Sequence, residues 1–301
     1  MQIEEKEYRM LNLPSGDLRL SVTNGCNMKC VYCHNEGQDG KITQFLSIDD
    51  IRKIVVGAMK FGLTKVRITG GEPLIHPDIE NILVMFRDEM KFYNVGLNTN
   101  GVLGNKLISI CEKKLVNRIV IGMDYFDAPI SKKSTVGVSS QNIKNTVLKV
   151  KGTGTPVEIA TVFDNNLKEI ISFVRWGLEN QIIIKVIERT DYWDQNFSPE
   201  EFDRLIIKLK QLFSLKLGIT ADLQEYYLTN GVSKIKFFQS HCNRRECEIC
   251  KRLHMRVTSN GMTKPCINRD DTMFPLLDGD FDSNMKMAIA NLGNNPGKAV
   301  I

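Results

Sequence analysis

No stretch of this 301-residue chain approaches the roughly 18 consecutive apolar residues of a membrane span. Met1–Arg9 is polar and charged and lacks the apolar core of an export signal, so a cytoplasmic protein with no membrane partner is expected. There is no dense basic run, and the net charge of +5 is mild. A nucleic-acid partner is therefore not expected, while an anionic small molecule is permitted. Low-complexity segments and solenoid-type repeats are also missing. What is present is ordinary globular composition, 42% hydrophobic and 25% charged. The length suits one large α/β domain with an appendage, or two modest domains.

Leu18–Thr23 reads as a short buried strand ended by Asn24-Gly25, with a Gly-rich polar loop from Asn24 to Gln44. Ser47 has the character of a helix N-cap, and Ile48, Ile51, Ile54, Val55, Ala58 and Met59 recur at helical spacing before Gly62. The alternation then repeats. Strands are predicted over Lys65–Thr69, Tyr93–Asn98, Arg118–Met123, Val157–Val162 and Ile182–Ile187. Helices are predicted over Pro77–Met90, Lys106–Lys114, Gln141–Val150, Leu167–Leu178 and Ser198 to about Phe213. Six strands alternating with helices predict an α/β fold with a parallel sheet and right-handed crossovers. Six units are too few for a closed eight-fold barrel, so a partial (β/α)6 TIM-like barrel is expected, with ligands at the C-terminal strand ends. After about residue 215 the texture changes to hairpins, Asp222–Leu228 with Val232–Phe238, and Arg256–Ser259 with Met262–Ile267 around Asn260-Gly261. The expected division is a core over 1–214 and a small cysteine-bearing domain over 215–301.

Seven of the eight cysteines fall into two groups: Cys26, Cys30 and Cys33, then Cys242, Cys247, Cys250 and Cys266. In a reducing compartment such clusters point to metal ligands rather than disulfides. Cys111 stands alone in a predicted helix and reads as a small buried apolar residue. Cys26-x-x-x-Cys30-x-x-Cys33 lies in the loop after the first strand, so one loop can supply three thiolates to an iron–sulfur cluster. With no fourth cysteine nearby, one iron is left for an outside ligand. Three other readings compete: haem attachment through Cys30-x-x-Cys33-His34, zinc with His34 as fourth ligand, and a Cys30/Cys33 dithiol. For Cys242, Cys247, Cys250 and Cys266, a zinc ribbon and an iron–sulfur site are both compatible with the spacing.

The first motif, on the first loop of such a barrel, resembles the radical S-adenosylmethionine (SAM) superfamily. Thr69-Gly70-Gly71-Glu72-Pro73, after the second strand, resembles its second signature. The resemblance implies a [4Fe–4S] cluster on Cys26, Cys30 and Cys33, with SAM near Tyr32, Gly70, Gly71 and Glu72. It further implies reductive cleavage of SAM to a 5′-deoxyadenosyl radical that takes hydrogen from substrate, and an electron donor such as flavodoxin or ferredoxin.

Over nearly its whole length the chain also resembles the GTP 3′,8-cyclases of molybdenum cofactor biosynthesis. The likeness is carried by Leu18–Thr23, Val66–Pro73, Leu97–Gly101, Ile184–Glu188 and Cys250–Cys266. It implies a second [4Fe–4S] cluster on Cys247, Cys250 and Cys266, with Cys242 either a fourth ligand or a thiol outside the cluster. Arg19, Arg67, Arg252 and Arg256 fall at phosphate-binding positions and Asn98 at a substrate position; arginine suits phosphate because its planar fork stays charged. The resemblance singles out no catalytic side chain beyond these. Four departures point to a divergent member or paralogue. Glu158 stands at a substrate-contacting lysine position, Lys185 at an arginine and Gly122 at a SAM-contacting serine, and Lys298–Ile301 replaces a terminal Gly-Gly. The expected activity is cyclisation of a purine nucleotide with carbon–carbon bond formation. The alternative is a peptide-modifying radical SAM maturase with an auxiliary cluster.

Overall fold

The computed structural model describes residues 17–30, 33–38, 42–90, 94–127, 139–190, 199–219, 226–240, 242 and 254–293. Six strands lie side by side in chain order, all parallel: β1 (Asp17–Ser21), β2 (Lys65–Thr69), β3 (Val95–Thr99), β4 (Arg118–Gly122), β5 (Val157–Phe163) and β6 (Ile183–Glu188). Between them run α1 (Ile48–Met59), α2 (Ile79–Val84, prolonged by a π turn over Met85–Glu89), α3 (Gly104–Glu112), α4 (Ser140–Gly152) and α5 (Leu167–Asn180). A further helix, α6 (Pro199–Leu212), follows β6. The alternation read from the sequence thus gives an α/β fold with a mostly parallel sheet.

Local chemistry explains several boundaries. The Ser47 side chain accepts the Asp50 N–H at 3.1 Å and caps α1, and Ser139 caps α4 through the Asn142 N–H at 3.2 Å. On α1, Ile51, Ile54, Val55 and Ala58 are buried and Ile48 partly so, but Met59, predicted on the same stripe, is exposed in the last turn. A last helix, α7 (Phe281–Ala290), is capped by Asp280. It docks on α1 where Gly57 leaves room, because a Cβ there would overlap the Phe281 ring.

The sheet continues past β6. Strands β7 (Lys216–Ile219), β8 (Tyr226–Thr229) and β9 (Lys234–Phe238) form an antiparallel meander, and β9 pairs parallel with β6. On the opposite side β10 (His254–Val257) pairs parallel with β1. The order is β10-β1-β2-β3-β4-β5-β6-β9-β8-β7. The parallel run therefore spans eight strands, two more than the alternation predicts. Strand β9 reaches β6 only after α6, β7 and β8 have intervened, and β10 pairs with β1 from far along the chain, so a local reading could not assign them to this sheet. The first predicted hairpin is β8–β9. The second shrinks to a bridge between Val257 and Thr263, flanked by the bonds Thr258 N–H to Met262 O and Lys264 N–H to Arg256 O, each at 2.9 Å, while the outward Thr263 N–H donates to Phe274 O at 2.8 Å and Met262 bridges Pro275.

Side chains alternate across the sheet. Leu18, Val66, Leu97, Ile119, Ile159 and Ile184 are buried in the apolar core. The opposite register positions carry Arg19, Arg67, Arg118, Glu158, Lys185 and Arg256. A single cavity of about 300 Å³ touches residues of all six central strands, from Arg19 on β1 to Lys185 on β6. Neighbouring strands are ~4.8 Å apart, so a flat sheet would separate the first and sixth by roughly 24 Å. The sheet must curl around this charged face. No helix among the described residues is long and apolar enough to cross a membrane.

Candidate active site

The loop after β1 is fastened at its base before it reaches the cysteines. Asn24 accepts the Gln44 N–H at 2.7 Å and donates to Ile42 O at 2.8 Å. The Gly71 N–H donates to Thr23 O, and the Glu72 N–H to Gly25 O, each at 2.8 Å. Gly70 has φ of +153°, a conformation side chains rarely adopt, and a Cβ on Gly71 would overlap the Gly25 carbonyl. The two glycines are thus required by the close approach of two backbone segments, whatever else binds there.

Beyond this clamp, Cys26 Sγ accepts the Met28 N–H at 3.3 Å and lies 3.8 Å from Asn100 Nδ2. Cys33 Sγ accepts the Asn35 N–H at 3.3 Å. Burial pushes the Cys26 thiol up, against the pull of the Met28 N–H, and Cys33 lies close enough to add to the rise. Cys30 faces the cavity beside Met28 and Gly71. Three thiols on one loop, two of them receiving backbone N–H donors, fit an iron–sulfur cluster with an open corner. His34 Nδ1 accepts the Glu36 N–H at 3.0 Å, which leaves its Nε2 as the ring nitrogen open to a metal.

Glu72 is fully buried. It accepts the Asn100 N–H at 2.7 Å, the Leu74 N–H at 3.0 Å and the Thr99 hydroxyl at 2.7 Å. Burial nevertheless raises its pKa from 4.5 to about 7. Between those values the folded chain holds a proton that the unfolded chain releases, so this group's contribution to stability falls as pH rises through that window. Glu72→Gln is expected to unfold more easily at every pH, because its amide would face an N–H donor, yet to lose that slope. Urea midpoints at about pH 5 and about pH 8 check this. An unchanged slope in the variant would contradict it.

Arg19, Arg67 and Asn98 line the cavity together. The Asn98 Oδ1 atom is buried without a hydrogen-bond partner, as a group awaiting a ligand would be. The register sets Arg256, Arg19, Arg67, Gly96 and Arg118 in one row across five strands. Like charges so placed repel, and carboxylates intervene. Arg19 grips Glu36 through Nε at 2.9 Å and Nη2 at 2.5 Å, and Arg67 meets Asp17 at 3.1 Å. Beneath the cavity, buried Glu158 pairs with Lys236 at 2.7 Å and Arg118 at 3.5 Å. Two of the arginines singled out from the sequence, Arg19 and Arg67, are therefore present at the cavity but already carry counter-ions.

Tyr32, Cys247, Cys250 and Arg252 lie outside the described residues. Arg256 reaches Glu36 at 3.5 Å rather than the cavity lining. Asn268 Nδ2 is 3.9 Å from Cys242 Sγ, so Cys242 sits beside the segment that follows Cys266. Sequence reasoning missed Glu36, Arg118 and Lys236. The last two were signalled by a lone charge alternating with aliphatics, as in Arg118-Ile-Val-Ile and Lys234-Ile-Lys236-Phe. Nothing local marked Glu36.

A thiol-bearing loop clamped onto a glycine pair, at the C-terminal ends of β1 and β2 in a curled parallel sheet, matches the family found by comparison. The Radical SAM superfamily matches residues 20–177, and the chain belongs to that superfamily. Within it, the chain is 31% identical over 264 residues to "Probable GTP 3',8-cyclase" of Methanococcus maripaludis strain C5, covering 85% of this chain and 86% of that protein. It is 30% identical to the protein of the same name from Archaeoglobus fulgidus, covering 91% and 92%. Among solved structures, SuiB of Streptococcus suis bound to S-adenosylmethionine superposes with a TM-score of 0.69 at 18% identity. That match covers 97% of this chain and 69% of that one. AdoMet-bound anSMEcpe follows at 0.63 and 16% identity, covering 92% and 81%. These last two likenesses concern the fold alone.

Proposed function

We propose that this radical SAM enzyme acts on an anionic substrate, a purine nucleoside triphosphate, abstracting hydrogen and closing a carbon–carbon bond as the name of its relatives suggests. The carrying observation is the cavity itself: Cys30 and Gly71 border it, and Arg19, Arg67 and Lys185 bring positive charge to it. Cys26, Cys30 and Cys33 would hold a [4Fe–4S] cluster, and Tyr32, Gly70, Gly71 and Glu72 would hold SAM. When bound, these groups supply a 5′-deoxyadenosyl radical, with flavodoxin or ferredoxin as reductant. Arg19, Arg67, Asn98, Arg252 and Arg256 would orient the substrate, and the surrounding strands exclude water from the reacting centre. Residues 215–301 would carry a second [4Fe–4S] cluster on Cys247, Cys250 and Cys266, with Cys242 beside it. The 3.9 Å approach of Asn268 to Cys242 supports that grouping.

The test is anaerobic release of 5′-deoxyadenosine from the iron- and sulfide-reconstituted chain with dithionite, offering each nucleoside triphosphate in turn. GTP alone is expected to raise release well above background. Arg67→Ala is expected to raise the KM for GTP by about ten- to a hundredfold, the worth of one charged hydrogen bond. Equal, slow release with every nucleotide would defeat the nucleotide reading. A peptide substrate would then take its place, a reading favoured by the fold shared with SuiB, which has also been solved bound to precursor peptide SuiA.

A further inference from the structure

Glu36 follows the cluster loop closely and is held unlike any neighbouring residue. It is 6% exposed, and its carboxylate receives Arg19 of β1, the Thr69 hydroxyl of β2 at 3.0 Å and, at 3.5 Å, Arg256 of β10. Three strands thus converge on one side chain. Its backbone is left-handed, with φ of +55°, between Asn35 at +45° and Gly37 at +75°. For residues other than glycine this conformation is costly and persists only where surrounding contacts impose it. The turn it makes has a definite product: the Asn35 N–H points at Cys33 Sγ, and the Glu36 N–H at His34 Nδ1. Hydrogen bonds to cluster sulfurs are one lever by which a protein tunes the cluster.

We infer that Glu36 is a positioning residue that ties the setting of Cys33 to occupancy of Arg19 and Arg256 by an anion. This rests on the proposed phosphate-binding role of those arginines and adds a consequence to it. One carboxylate serves two tasks, counter-ion to the arginines and anchor of the turn after Cys33. A polyphosphate that engages the arginines competes with that carboxylate. The anchor then loosens, and the N–H aimed at Cys33 shifts. Asp17 gives the contrasting case, for it neutralises Arg67 at 3.1 Å yet belongs to β1 rather than to the loop.

The experiment uses the full chain without metal and inorganic triphosphate as probe, with calorimetry for binding and amide hydrogen exchange for the turn. In Glu36→Gln, exchange over residues 34–38 is expected to accelerate about tenfold, and triphosphate to bind several-fold more tightly. In the natural chain, triphosphate is expected to accelerate exchange over the same residues, an effect absent from Glu36→Gln. A merely structural role would give no such ligand-dependent change. Asp17→Asn is expected to bind triphosphate more tightly while leaving residues 34–38 as they were. Thr69→Val removes only the hydroxyl donor and is expected to give a smaller acceleration, which keeps the test available if Glu36→Gln does not fold. Triphosphate that binds the natural chain without moving residues 34–38 overturns this inference and leaves the phosphate reading intact. Absence of triphosphate binding in the natural chain and in Asp17→Asn overturns the phosphate reading and this inference with it.

Discussion

Gly71→Ala is expected to lower SAM cleavage by about a hundredfold or more, the usual cost of displacing a reacting group by roughly 1 Å. The added methyl would overlap the Gly25 carbonyl and lie 2.7 Å from Asn24 O, and both obstacles are backbone. No side chain can swing aside, so the loop carrying Cys26, Cys30 and Cys33 must move. The clash also attacks the two hydrogen bonds that clamp that loop, Gly71 N–H to Thr23 O and Glu72 N–H to Gly25 O. Iron content after reconstitution should fall together with 5′-deoxyadenosine release, while the circular dichroism of the sheet stays near that of the natural chain. Gly152→Ala supplies the control, since a Cβ at this helix end would meet nothing within 4 Å. A Gly71→Ala variant as active as Gly152→Ala would show that the loop has slack the geometry does not suggest.

Glu158→Lys is the second large effect, and it opposes what family likeness alone would recommend. Lysine is the residue that the resemblance places at this position, so the substitution looks like a restoration. Here it would set a third cation between Lys236 and Arg118 and remove the one carboxylate that both share. Breaking a buried pair by removing one partner costs about 3–5 kcal/mol, corresponding to a fall in Tm of about 5–8 °C for a chain of this size. Glu158→Gln keeps the shape and should lose about half as much. Adding Arg118→Glu to Glu158→Lys should recover part of the loss. Burial raises the Glu158 pKa, but Arg118 and Lys236 outweigh it and hold the carboxyl below its ordinary value of 4.5. Its contribution is therefore complete above about pH 4.5 and disappears as pH falls through the lower folded value. Thermal melts of the three variants at neutral and acid pH decide the matter. A stable Glu158→Lys would mean that the charged row tolerates an imbalance that the short contacts argue against.

The central strands were legible because each follows a rule that acts over a few residues. Lys65–Thr69 pairs buried Val66 and Ile68 with an inward Arg67, and the strand is found where the sequence placed it. Ser47 and Gly62 bound a helix by chemistry that belongs to those residues alone. The cysteine loop and the glycine pair were legible as motifs, though part of the reason for the glycines was not. Their requirement comes from the Thr23–Gly25 backbone, a contact between segments that the sequence does not show to be neighbours. The same limit hid β9, β10 and Glu36. Strand β10 reads as half of a hairpin because Asn260-Gly261 is a strong local signal, and its larger commitment, to β1, lies far along the chain. A buried glutamate between His34 and Gly37 has no periodicity to betray it, and only the three strands that surround it explain it. Arg19 and Arg67 line the cavity, Arg256 turns to Glu36, and the counter-ions of all three emerged only from the fold.

The pairing of β10 with β1 also sets an order of events. Arg19 and Arg256 are register partners, yet nearly the whole chain lies between them. Contacts of such long sequence separation form late, because the loop they close is costly before any contact rewards it. A nascent chain can stack β1 to β6 as each emerges, but one edge of β1 stays bare until residues 254–257 arrive. Glu36 then receives Arg256 only long after its own loop has been made. The cysteine loop is thus finished by a strand made much later, so a cluster held there would be loaded after β10 has docked on β1.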